Sequence, residues 1–209
     1  MPAESTRRRT ASTAARKKPR REDVPLTLVA VATQLFAERG FDNTSVQEIV
    51  DASGVTKGAM YHYFRSKDDI LYEIYARVLR LQMDHLKAIV ESDLSPAAKA
   101  RAAASDVVET SVAALDDWVV FWQAFPSLSP DRQAIVREER REYHELFRTL
   151  LDDLRVAGLF RSDVPLDLVL DYFFGAVHYL GTWYRSSGPI NGKVLGEYFA
   201  ELLMSSGTA

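Results

Sequence analysis

Apolar side chains recur at intervals of three and four along most of the chain, and clusters of Gly, Pro, Ser and Thr cut that rhythm into separate helices. The first predicted helix covers 24–39. Leu28, Val31, Leu35 and Phe36 form its stripe, Asp23 and Pro25 suit its start, and Gly40 closes it. Two helices of about two turns follow. Thr44 with Gln47, and Ser45 with Glu48, both have capping-box spacing. Val46, Ile49 and Val50 then give one apolar face before Ala52-Ser53-Gly54 stops the helix. Thr56 caps the next, from Lys57 to about Phe64, with Met60 and Phe64 on its core side. Two such helices joined through Gly54 at a steep angle are a helix-turn-helix unit.

Ser66 with Asp69 signals a long periodic helix over 67–91, carrying Ile70, Leu71, Ile74, Tyr75, Val78, Leu79, Gln82, Leu86 and Ile89 on its apolar side. At 1.5 Å per residue it spans roughly 37 Å, enough to link the helix-turn-helix unit to whatever follows. After a break at 92–96 come an Ala-rich helix over 97–115, a short aromatic segment, and a long helix over 129–157. Ile135, Tyr143, Phe147, Leu150, Leu151 and Leu154 are expected to point inward from the last of these. The next helix, 166–186, is apolar nearly all round and must be covered on more than one side. A second copy of the chain is the economical cover, so this helix and the last one, 192–204, are expected to pair with their symmetry mates as a four-helix bundle.

With Met60 and Phe64 turned inward, the second short helix presents Thr56, Lys57, Tyr61 and His62 outward. A face that only needed solvation would more often carry Glu and Lys. This set suits a major groove instead: Lys57 can donate to guanine O6 and N7, and Thr56 to either base type. Tyr61, His62 and the backbone N–H groups near Lys67 suit phosphates, while Gly58 and Ala59 leave room for close approach. Thr44 and Ser45, opening the preceding helix, complete the candidate DNA-facing set. The competing reading is a packed three-helix knot with a polar outer face.

The segments Phe36-Ala37-Glu38-Arg39-Gly40-Phe41, Thr44-Ser45-Val46-Gln47-Glu48-Ile49 and Gly54-Val55-Thr56-Lys57-Gly58-Ala59-Met60-Tyr61-His62-Tyr63-Phe64, with Lys67 and Leu71, resemble the N-terminal domain of TetR-family transcriptional regulators. The resemblance covers about 24–75 without a gap. It implies an all-α fold: an N-terminal helix-turn-helix three-helix domain joined by a long helix to a C-terminal helical ligand-binding and dimerisation domain. It also implies a homodimer on a palindromic double-stranded operator, with Tyr61 and Lys67 at phosphates and Tyr63 in packing. The expected division is 1–22 as a basic arm, 23–70 as the DNA-binding domain and 71–209 as the sensing and dimerisation domain. Trp183-Tyr184-Arg185-Ser186-Ser187-Gly188-Pro189 is similar to the corresponding helix end in family members that regulate steroid or fatty-acid breakdown and respond to acyl-CoA thioesters.

Trp118, Phe121, Trp122 and Phe125 recur at three and four and share one face. They read either as core or as the lining of a cavity for an apolar ligand. Tyr143, Phe147 and Phe173 on neighbouring helices join that candidate lining. His178, among aromatics, reads either as a hydrogen-bonding group for the ligand or as a satisfied core histidine. The run Arg137-Glu138-Glu139-Arg140-Arg141-Glu142 reads as a solvated face.

Composition narrows the picture further. An apolar share of 47% and a charged share of 26% fit a globular protein, and the absence of Cys removes disulfides, thiolate metal sites and a cysteine nucleophile. That absence fits a reducing cytoplasm. The net charge of −3 hides eight Lys or Arg against Glu4 alone in residues 1–21. Such a segment reads as an arm that follows DNA, as a solvated tail, or as a transit peptide. His62, His85, His144 and His178 fall on four separate predicted helices, and neither a phosphate loop nor a nucleophile elbow occurs. No catalytic residue, metal site or cofactor is therefore expected. The expected function is a transcriptional repressor released from its operator by a small apolar or amphipathic effector. A multidrug sensor controlling an efflux pump is the alternative, and an all-α enzyme stands further off.

Overall fold

The computed structural model describes residues 20 and 23–206. The basic arm expected over 1–22 lies, Arg20 apart, outside the described residues. Among those described, helices α1 (Val24–Arg39), α2 (Val46–Ser53), α3 (Lys57–Tyr63), α4 (Lys67–Glu91), α5 (Pro96–Ala113), α6 (Leu115–Ala124), α7 (Pro130–Val156), α8 (Leu166–His178), α9 (Leu180–Trp183) and α10 (Gly192–Ser206) follow one another with no strand. The fold is all-α, as the pattern predicts.

Local chemistry sets the boundaries of the first elements. Of the two capping boxes with the right spacing, the one that forms is Ser45–Glu48: each residue satisfies the other's backbone N–H. Gln47 bonds Asp51 instead. Thr56 accepts from the N–H of Ala59, and Ser66 from that of Asp69, fixing where α3 and α4 begin. Gly54 takes the left-handed conformation (φ 70°) that ends α2 and turns the chain into α3. Met60, Ile49, Leu28, Ile70 and Ile74 are completely buried and lock the first four helices together. Each such side chain contributes about 1.5–3 kcal/mol.

Three later expectations are corrected. On α7, Val136 is buried and Ile135 is exposed, the reverse of what the spacing suggested. The helix expected over 166–186 is interrupted at Tyr179, and α9 continues from it as a separate turn. Contact with α6 accompanies the break: a Cβ on Gly181 would lie 2.5 Å from Val119 Cγ2. The third concerns the run 137–142, which is not uniformly solvated, since Glu139 and Arg140 turn inward.

The Ala-rich composition of α5 is explained by α10. Ala100, Ala103, Ala104 and Ala200 are buried between them, and the backbones approach so closely that a Cβ on Gly196 would sit 2.5 Å from the carbonyl oxygen of Ser105. A backbone oxygen inside a helix cannot yield cheaply. Gly196→Ala should therefore destabilise the protein by about 1–3 kcal/mol, outweighing the helix-propensity gain of up to about 1 kcal/mol. A lowered urea midpoint at unchanged m is the expected outcome.

Candidate nucleic-acid interface and effector cavity

With Met60 and Phe64 holding α3 from beneath, Thr56, Lys57, Gly58, Tyr61 and His62 all lie exposed on one outer surface. Nothing would meet a Cβ on Gly58 within 4 Å, so this surface is open to a close-fitting partner. Tyr63 is 37% exposed and meets the His62 ring edge-to-face at 4.9 Å. Ser45 is exposed beside this surface, its hydroxyl engaged by Glu48. Thr44 is corrected outright. It is buried, and its hydroxyl donates to the carbonyl of Gly40 at 2.8 Å, so the side chain braces the α1–α2 turn from inside.

Lys67 is committed inward as well. Its ammonium donates to the carbonyls of Phe41 (2.6 Å) and Thr44 (2.9 Å) and lies over the Phe41 ring, tying the start of α4 to the α1–α2 turn. Asp68 and Asp69, which would repel a phosphate there, engage α7 and its N-cap instead. Asp68 accepts from the N–H of Ser129, and Asp69 pairs with Arg132 while accepting from the N–H of Arg65.

A second seam joins the reading unit to the body of the protein. Asp117 on α6 accepts from Thr33 on α1 at 3.1 Å and pairs with Arg77 on α4. Its neighbour in sequence, Trp118, lines a cavity of about 160 Å³ with Trp122, Leu115, Val119, Val177, Leu180 and His178. Below it lies a narrower space bordered by Gln82, Ser111, Trp118, Arg140, Tyr143, His144 and His178. Buried Gln82 on α4 donates to Thr110 (2.9 Å) and Ser111 (3.1 Å), so the cavity wall is hydrogen-bonded to the long connecting helix.

Of the eight residues expected to line an effector site, Trp118, Trp122, Tyr143 and His178 border these spaces. Phe121, Phe125, Phe147 and Phe173 do not. Phe121 stacks on Tyr75 and Phe147 on Phe173, filling the core, while Phe125 packs on Phe121 and Trp122. Sequence reasoning missed Arg140 and His144. Arg140 keeps the spacing of Val136, Tyr143 and Phe147, and that position inside an apolar stripe was the available signal.

Arg140 lies over the Trp122 ring at 4.6 Å and donates toward the His178 imidazole at 3.1 Å. His144 stacks on Phe174, ring centres 4.0 Å apart, and nearly parallel to His178. Burial, then the nearby Arg140 guanidinium, lowers both imidazoles, His144 to about 4 and His178 to about 3; Asp171 partly opposes the shift at His144, and His144 adds to it at His178. Burial also lowers Arg140, penalising its charge. The indole Nε1 groups of Trp118 and Trp122 are buried without an acceptor. Such an orphan costs about 1–3 kcal/mol.

An all-helical chain that pairs an exposed helix-turn-helix surface with a cavity wired to the same unit has the layout of a helix-turn-helix regulator. Residues 28–74 match the family described as "Bacterial regulatory proteins, tetR family", and residues 93–206 match "Tetracyclin repressor-like, C-terminal domain". The chain belongs to the TetR family. Among its relatives, the HTH-type transcriptional repressor KstR2 of Rhodococcus jostii is 29% identical over 182 residues, covering 85% of this chain and 87% of that protein. The TetR-family regulator PfmR of Thermus thermophilus is 26% identical at a TM-score of 0.77, covering 85% of this chain and 97% of PfmR. AibR, solved with isovaleryl coenzyme A and operator DNA, shares the fold at 19% identity and a TM-score of 0.73, covering 88% and 99% of the two chains. No described helix is long and apolar enough to cross a membrane.

The histidines make stability depend on pH. The unfolded chain takes up protons near pH 6.5, whereas folded His144 and His178 do so only near 4 and 3. Between those limits the unfolded state binds more protons, so stability falls as pH drops, by about 1.4 kcal/mol per unit for His178. Denaturant unfolding across this range should show a shallower slope for His178→Gln than for the wild type.

Proposed function

We propose that the protein is a homodimeric, sequence-specific transcriptional repressor of the cytoplasm, released from a palindromic operator by a small, largely apolar effector. Residues 23–70 form the DNA-binding domain and 71–209 the sensing and dimerisation domain. The observation that carries the DNA-binding half is the open surface of α3, where Lys57, Tyr61 and His62 project from a helix held by buried Met60 and Phe64. Two such surfaces about 34–36 Å apart would enter successive major grooves. Lys57 and Thr56 read bases; Tyr61 and His62 hold phosphates, with Ser45 at the margin.

Dimerisation follows from what α8, α9 and α10 leave uncovered. Leu168, Tyr172 and Tyr179 on one side, Trp183, and Tyr198 and Leu202 on the other are 48–77% exposed. So many large apolar groups on adjacent helices mark an association surface, which a second copy would cover as a four-helix bundle.

The effector class is supported by relatives and by the cavity. KstR2 is named a ketosteroid transcriptional regulator in its solved form, and AibR binds isovaleryl coenzyme A; an acyl-CoA or a steroid or fatty-acid catabolite fits that company. A dry cavity of about 150 Å³ takes a benzene, and drug-sized sites run about 300–1,000 Å³. At about 160 Å³ the present space matches a short acyl or single-ring group. Larger effectors would have to part α6 from α8 and α9. Displaced α6 would carry Asp117 away from Arg77 and Thr33, tilting α4 and changing the spacing of the reading helices. A coupling of about 1–3 kcal/mol suffices for induction. A multidrug sensor for cationic compounds is disfavoured because Arg140 would repel them.

Two outcomes test this reading. In a footprint on DNA upstream of the gene, Lys57→Ala should lose about 1–3 kcal/mol and relax sequence preference, whereas Tyr61→Ala should weaken binding to all sequences alike. An unchanged footprint for Lys57→Ala would remove the base-contact assignment. In sedimentation, the wild type should be a dimer and Tyr172→Arg should shift it toward monomer.

A further inference from the structure

The narrow space below the cavity shares Ser111, Trp118, Val177 and His178 with it and is bordered by the donor Arg140. Arg140 forms no ion pair among the described residues, and it donates to the His178 ring, held neutral by its surroundings. Beside it, Trp118 and Trp122 keep their Nε1 groups buried and without acceptors, and Ser111 borders both the main cavity and the narrow space below. No carboxylate borders either space. A guanidinium that has lost much of its hydration and has only a neutral imidazole to donate to is poised for a stronger acceptor.

We propose that Arg140, in the narrow space adjoining the cavity, is an acyl-oxygen subsite: it takes the carboxyl oxygen of a short acyl or single-ring effector, as free carboxylate or as thioester, while the hydrocarbon lies in the cavity against Leu115, Val119, Val177 and Leu180. This rests on the cavity being the effector site. Ligand oxygen replaces His178 as the acceptor for Arg140. Arg140 and His144 also border an open surface groove lined by Arg137, Arg141 and Arg148 together with Glu145, Asp167 and Asp171, which gives the carrier portion of a thioester a way out.

Calorimetric titration of the full-length protein, without DNA, separates the possibilities. The probes are phenylacetate and hexanoate, their coenzyme A thioesters, and phenylethanol and hexanol as neutral bodies of similar shape. Acids or thioesters should bind at least about tenfold more tightly than the alcohols, and Arg140→Gln should remove that preference. Arg140→Lys, which keeps the charge, should retain part of it and guards against a folding defect in the Gln variant. Binding by acids assigns the carboxylate as the source of the oxygen; binding by thioesters alone assigns the thioester. Equal affinity for acid, thioester and alcohol, or equal loss of all three in Arg140→Gln, overturns the subsite but leaves the cavity reading intact. If no probe binds, both fall. Because no DNA is present, failure of the operator reading would not alter the result.

Discussion

The carboxylate of Asp117 is the point on which the rest of the structure turns. It receives Thr33 from α1 and Arg77 from α4 while standing next to Trp118, a wall of the cavity. A partly buried pair of this kind contributes on the order of 1 kcal/mol alone. Its importance is geometric, because it fixes the orientation of the reading unit against α6, one of the helices that wall the cavity. Arg132 with Asp69, and Tyr72 with Glu139, repeat the arrangement between α7 and α4. These polar joints sit beside a single continuous apolar core that runs from α1 to α10.

Close backbone packing does the opposite work elsewhere. Gly196 against Ser105 and Gly181 against Val119 leave no space for a Cβ, so α10 is pressed onto α5 and α9 onto α6. These contacts use the small residues of the C-terminal helices and leave the large ones outside. Tyr172, Tyr179, Tyr198 and Leu202 are thereby free to form the surface assigned to a second copy. The interruption at Tyr179 also brings His178 to the end of α8, beside Arg140.

Much of the fold was legible in the residues. Capping boxes, Gly54 and the apolar stripes located the first four helices nearly to the residue, because those signals act within one or two turns. The surface of α3 was legible for the same reason: once Met60 and Phe64 point inward, the positions of Lys57 and Tyr61 follow from helical geometry. Thr44 was misread because Thr and Ser look alike as caps; only the inward path of the α1–α2 turn distinguishes the buried hydroxyl from the exposed one. The aromatic residues were misassigned in part because periodicity places Phe121 and Trp122 near one face without saying which ring meets Tyr75 and which meets open space.

The sequence by itself determined the class of fold, the helix-turn-helix unit and its outward side chains, since these depend on contacts between residues close along the chain. Only the tertiary structure decided which aromatics border a cavity, that Arg140 lies among them, and that Asp117 joins three helices. Thr33, Arg77 and Asp117 lie 84 and 40 residues apart in their contacts, as Arg140 and His178 lie 38 apart. No local pattern encodes which distant helix a side chain will meet, and that pairing is fixed only when the whole set of apolar faces is packed at once.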